Sequence, residues 1–222
     1  MAHIIEVLRE AQERLYDKPY SERDVLDVLS FYGDVIFCIV PVGYKLPSDV
    51  QRKITIKDQT FEVSQKQSEL FLLLRLMKRL TKKGRLGIVL SAEALHGTTE
   101  THQRVRKFLV EEDLLEAVVR LPGGLYGHIT HKQTLMIINT RKLESKKGKF
   151  AFITVKSTKV DGTSAITYDS IGRARHVYRH FNSLLDSQIV QLEDLRLNNY
   201  DLRSYRYVGS TAKQIEKLRK SR

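Results

Sequence analysis

Few side chains in this 222-residue chain are placed to do chemistry. His128 and His131 have no Cys or carboxylate within several residues, and His176 and His180 sit on the flank of an arginine-rich segment. Zinc-type centres draw three or four ligands from Cys, His and carboxylate at short fixed spacings, so no metal site is expected. Cys38 and Ser91 lack a neighbouring base of the kind that activates a nucleophile. Gly123-Gly124 follows Pro122 at the end of an apolar run and opens no helix, which makes it a turn rather than a phosphate loop. What remains is charge. Arg173, Arg175 and Arg179 share a helical segment, and two arginines one turn apart can grip phosphate. A solvated outer face is the commoner fate of such a pair.

The formal charge is +12, and it is unevenly spread. Residues 141–222 hold 18 Lys plus Arg against 8 Asp plus Glu, while residues 1–140 hold 20 against 18. The positive field therefore belongs to the C-terminal part, and it suits a phosphate backbone or an acidic protein surface. Apolar residues make up 41% of the chain, enough for a real core, and no apolar run approaches the ~20 residues of a membrane span. The N-terminus has no apolar signal-peptide centre, and the single Cys38 fits a reducing cytoplasm, so a cytoplasmic location is expected.

The elements that must carry these groups are legible as an alternation of strand and helix. Ile4, Leu8, Ala11 and Leu15 give a first amphipathic helix, ended by Pro19, and Ser21 to Leu29 gives a second. Asp34 to Val42 has eight consecutive apolar residues after the Asp, the pattern of a central strand buried on both faces. Residues 44–63 read as loop with a short strand near Lys53 to Lys57. Gln65 to Lys83 reads as one helix, with Lys82 and Lys83 in its last turn and Gly84 just past its end. Lys82 to Arg141 then runs strand (Arg85 to Leu90), helix (Thr98 to Asp113), strand (Leu114 to Leu121), loop, strand (Thr134 to Asn139). Phe150 to Val155 is expected at a sheet edge because lysines bracket it. Ile171, Ala174, Tyr178, Phe181 and Leu185 form a last helical stripe, and residues 211–222 a short basic helix or frayed tail. The expected division is a helical segment 1–32, an α/β domain 33–157 and a basic helical extension 158–222.

The order of these motifs resembles the C-terminal half of the methylase domain of N6-adenine DNA methyltransferases, in the modification subunits of type I restriction-modification systems. The matching pieces are Leu80-Thr81-Lys82-Lys83-Gly84, the strand Gly84 to Leu90, Arg106-Lys107-Phe108-Leu109, Leu114 to Pro122, Gly123-Gly124-Leu125-Tyr126 and Thr134 to Asn139. Asn199-Tyr200-Asp201-Leu202 and Arg206-Tyr207-Val208 follow in the tail. The resemblance runs from about Gly33 to Gly209. It implies a partial doubly wound, Rossmann-like class I methyltransferase sheet, mostly parallel. In the family, the strand at Asp34 leads into Asn-Pro-Pro-Phe or Tyr, whose acceptors hold the adenine amino group while the ring stacks on the flipped base. Here those positions are Ile39, Val40, Pro41 and Val42, so no catalytic residue is intact. The family also binds S-adenosylmethionine on a Gly-rich turn after its first strand. No Gly precedes Gly33, so the cofactor-binding half is expected to be lacking and the isolated chain to take no cofactor.

Three readings follow from that. The chain is a methyltransferase-like component of a DNA modification system, inactive alone and either one half of a split enzyme or a remnant. Alternatively it is a binding module for DNA or a partner subunit through its basic tail. The third, an active adenine methyltransferase, requires Ile39 and Val42 to be bystanders. In the family the strand equivalent to Asp34 to Pro41 has the cofactor strand on one side and the strand equivalent to Arg85 to Leu90 on the other. With the first missing, the edge must be covered by the Ile4 to Leu15 helix, a partner subunit or a second copy.

Overall fold

The computed structural model describes residues 33–40, 45–125, 132–160 and 163–209. The helices expected at Ile4 to Leu15 and Ser21 to Leu29, the basic end 211–222, Pro41, Val42, His128 and His131 lie outside them.

Six strands form the central sheet. In chain order they are β1 (Gly33–Ile39), β4 (Leu80–Ser91), β5 (Leu115–Arg120), β6 (Gln133–Asn139), β7 (Lys149–Thr154) and β10 (Ser187–Gln191). Across the sheet they run β1-β4-β6-β5-β7-β10. Strands β1, β4, β5 and β7 point one way, and β6 and β10 run against them. The fold is therefore α/β with a largely parallel sheet, as the motif order implied. A hairpin, β2 (Lys53–Ile56) and β3 (Gln59–Glu62), stands apart from it, as does a second, β8 (Ser157–Val160) and β9 (Thr163–Ile166).

Alternation along the strands sends side chains to two cores. Ile36, Cys38, Leu86, Ile88, Val118, Met136 and Ile138 face one, where α1 (Ser68–Lys78), α3 (Glu100–Glu111) and the hairpin residues Ile54 and Phe61 pack. Phe37, Ile39, Val89, Val119, Leu135 and Ile137 face the other, covered by α4 (Tyr168–His180) through Ala174 and Val177. Helix α3 begins where Thr99 accepts the His102 backbone N–H, and buries Val105, Phe108 and Leu109, the spacing seen in the sequence.

Five expectations are corrected. Helix α1 stops at Lys78, and Lys82, Lys83 and Gly84 belong to β4. Between the pairs Gly33/Leu80 and Val35/Arg85 the register jumps, so residues 81–84 bulge out of the ladder. Thr140 fixes the bulge, its Oγ1 donating to the carbonyls of Thr81 and Gly84 at 3.1 and 3.0 Å. A Cβ on Gly84 would stand 3.0 Å from both Leu80 Cβ and Thr81 N, which is why glycine is there. Strand β1 is first in the strand order and half-exposed rather than central; among the described residues β4 is its one neighbour. Strand β7, expected at an edge, is interior, because β10 pairs along its other side. Helix α4 ends at Phe181, which takes a left-handed conformation, and Leu185 is 87% exposed rather than part of the apolar stripe. Residues 158–209, expected as a helical extension, also supply strands β8 to β10, the last of them in the sheet, and the short helix α5 (Leu192–Leu197). Gly123-Gly124 is a turn as expected, with Gly124 at φ +75°.

Candidate functional site

In an open α/β sheet, ligands gather beyond the carboxyl ends of the parallel strands. Of the four candidate positions at the end of β1, Ile39 and Val40 are among the described residues, and both pack in the fold. Ile39 aligns with Val89 and packs into the second core. Val40 is 2% exposed, and its N–H donates to the Val89 carbonyl at 3.1 Å. Neither side chain has a hydrogen-bonding atom. These two can end a strand and fill a core; they cannot hold an amino group.

Neighbouring groups are engaged as well. At the end of β4, Ser91 gives its backbone N–H to Glu69 Oε1 at 2.6 Å and its hydroxyl to Oε2, so both carboxylate oxygens are spent on one serine. Cys38 is held in the core, and burial pushes its thiol up to about 11, far from the thiolate that a nucleophile needs.

The three arginines divide. Arg173 is bound within the fold, to Asp169 and, at 3.5 Å, to Asp186, which also pairs with Lys156 at 2.8 Å. Arg175 and Arg179 are exposed, and among the described residues no carboxylate pairs with them. His176 and His180 share that outer face, with ring centroids 4.6 Å apart.

Two clusters were not visible in the sequence. Glu116, 1% exposed, receives the Tyr178 hydroxyl at 2.6 Å, the Asn139 amide at 3.2 Å and the Lys146 ammonium at 3.5 Å. Burial and the Glu116 charge together drive the Tyr178 phenol far above its ordinary range. The tail carries the second. Tyr207 is fully buried, its ring 4.4 Å from that of Phe152, and its hydroxyl donates to the Asp201 carbonyl at 2.5 Å. Arg106 of α3 donates to the carbonyls of Tyr200 and Gly97, while Glu111 accepts both a two-pronged Arg196 and the Tyr200 hydroxyl. The quoted tail residues are thus a fastening onto α3 and β7. The signal was there as motif residues with no chemistry of their own.

The described residues do not fit S-adenosylmethionine. A dinucleotide-type site needs a Gly-rich turn between a strand and a helix, and a carboxylate at the next strand end for the ribose. The parallel strands here end on Val40, Ser91, Leu121 and Val155, three of them in the core and the fourth tied to Glu69. Between β4 and α2 (Ala92–His96) there is no glycine. No described helix is long and apolar enough to cross a membrane.

Comparison with known proteins agrees with the α/β fold. The family model for N-6 DNA methylase matches residues 34–216. The methylase subunit of the type I restriction enzyme MjaVII from Methanocaldococcus jannaschii is 34% identical over 150 residues, 64% of this chain and 26% of that protein. The MjaVIII methylase subunit of the same organism is 31% identical over 142 residues, 61% of this chain and 24% of its own. The methyltransferase subunit of the type I restriction-modification system from Streptococcus thermophilus has the same fold, with a TM-score of 0.70 at 19% identity over 87% of this chain and 40% of that one. The chain thus spans about a quarter of the length of these two curated relatives.

Proposed function

The chain belongs to the N-6 DNA methylase family, and from that membership we propose that it is a methylase-type component of a DNA modification system that does not transfer methyl groups by itself. The end of β1 carries this reading. Where the family places its amide acceptor and first proline, Ile39 and Val40 are core residues, the first without an acceptor and the second giving its N–H to the Val89 carbonyl; Val42, at the aromatic position, carries no ring. S-adenosylmethionine, when bound to a family member, supplies the methyl group; this chain's residues build and brace the neighbouring part of the sheet.

The open side of β1 supports a partner. Val35 is 73% exposed, and the strand offers a row of backbone groups with one neighbour among the described residues. A strand from a partner subunit or a second copy satisfies those groups, which a helix laid across them cannot. Arg175 and Arg179 support the second reading, a DNA-binding module working through phosphate contacts.

Calorimetry of the isolated chain with S-adenosylmethionine, together with a methyl-transfer assay on mixed DNA, tests the proposal. No binding and no transfer are expected. Saturable binding at micromolar cofactor, or methylation of any DNA, overturns it.

A further inference from the structure

Helix α4 brings into contact two imidazoles that the sequence places one helical turn apart. His176 and His180 are four residues apart, one turn, and both are exposed. Their planes are inclined at 42° with centroids 4.6 Å apart, which is not a flat stack. A metal ion about 2.1 Å from one nitrogen of each ring lies about 3.2 Å from each centroid; the centroids then stand about 4.5 Å apart for a right-angled arrangement and about 5.2 Å for a tetrahedral one. The observed separation falls at the right-angled end of that interval.

We propose that His176 and His180 form a two-point chelating site for a late divalent transition metal ion, with Cu²⁺ held more tightly than Ni²⁺ or Zn²⁺. The backbone beneath them is fixed. Thr167 caps the helix by accepting the Ser170 N–H, Ala174 and Val177 anchor it on the sheet, and Phe181 closes its end. The helix therefore does not have to be ordered at binding, only the two side chains, and the second nitrogen acts at a high effective concentration once the first has bound.

The charge around the pair sets which ions can enter. Arg175 and Arg179 stand on the same exposed face, and Arg173, one turn before His176, is offset by Asp169 and Asp186. A hard cation that relies on carboxylates finds only repulsion there. An ion bound through strong nitrogen ligation tolerates it, and imidazole suits copper, nickel and zinc. The described residues hold no cluster of three or more potential metal ligands, so the other coordination positions stay open to water or an anion. Reading the sequence for a third ligand is what concealed the pair; two histidines at i and i+4 on one helix face are sufficient for chelation.

The full chain, free of any polyhistidine tag, is titrated with Cu²⁺ near neutral pH by calorimetry, with electron paramagnetic resonance of the bound ion. In a His3→Ala background, which removes the competing amine and imidazole chelate of the Met1-Ala2-His3 segment, one saturable site with two imidazole nitrogens is expected. His176→Ala and His180→Ala should each weaken it about tenfold or more, since either removes the chelate. His96→Ala should leave it unchanged. Both changes at the pair are on an exposed helix face, and circular dichroism confirms that the fold is kept. Unaltered binding in either variant, fewer than two imidazole nitrogens at the ion, or no saturation below about 1 mM overturns the proposal.

Discussion

Glu111 shows how a single carboxylate can hold the end of this chain in place. It accepts the Arg196 guanidinium through both oxygens, at 2.8 and 2.6 Å, and the Tyr200 hydroxyl at 2.6 Å. Hydrogen bonds from Arg196 and then from Tyr200 pull its carboxyl down to about 2. An acid whose folded value lies below its unfolded value of about 4.3 adds stability that is complete above the unfolded value and is lost as pH falls through the folded one. The contribution should therefore fade between about pH 4.3 and 2. The pair is partly solvated, so Glu111→Gln should cost no more than about 1 kcal/mol at neutral pH. Urea midpoints measured from pH 7 to 2 check this: the variant's curve should be flatter across that acid window. If both proteins lose stability in parallel, the fastening of residues 196–200 to α3 does not depend on this charge.

At the scale of elements, the open side of β1 makes the clearest demand. An apolar strand with no partner along one side among the described residues is a template for association, and charge on such an edge is how natural sheets discourage it. The purified chain should self-associate in light scattering at high concentration, and Val35→Lys should shift it towards monomer. If the unsubstituted chain stays monomeric and the amides of β1 exchange slowly, the edge is already covered and the argument fails. Strand existence was readable from apolar runs at Asp34, Arg85, Leu114 and Thr134, because each is bounded by Gly, Pro or charge. Position within the sheet was legible only for β1 beside β4, through the family resemblance. Lysines 149 and 156 suggested an edge for β7, yet the ammonium of Lys149 reaches only the Ser145 carbonyl, and β10 arrives from residues nearly forty positions later. The end of α1 was misjudged because Leu80 continues the spacing of Leu70, Leu73 and Met77, and Lys82, Lys83 and Gly84 suit a helix end; a tertiary partner, Thr140, decides that segment. At the candidate site the sequence shows only that Ile39 carries no acceptor; the spacing of His176 and His180 was visible though their ring contact was not, and the Glu116 cluster depends on contacts between distant residues that no local pattern displays.

For the whole molecule, the excess of cations in residues 141–222 is the property most open to test. Much of it is already spent: Lys142 and Lys146 lie against Asp113 and Glu116, and Arg196, Arg203 and Arg206 pair with Glu111 or Asp201. Arg175 and Arg179 are not so engaged, which makes them the best placed of the described tail arginines to meet phosphate. Binding to a mixed-sequence duplex, followed by fluorescence anisotropy across a salt series, should show a slope that falls by about two units in the double variant Arg175→Ala/Arg179→Ala, since each phosphate contact contributes about 0.9. An unchanged slope would make that face a solvated surface. The strand order has a further consequence, for how the chain acquires its shape. Strand β6 lies between β4 and β5, although both precede it in sequence, so the two earlier strands have no direct ladder to each other. A chain emerging from its amino end can dock β1 on β4, but the two halves of the sheet stay unconnected until residues 133–139 insert between them. Joining the two halves thus depends on one antiparallel strand, whose ladder with β5 is local and whose ladder with β4, like that of β1 with β4, is a long-range pairing of the kind that slows folding.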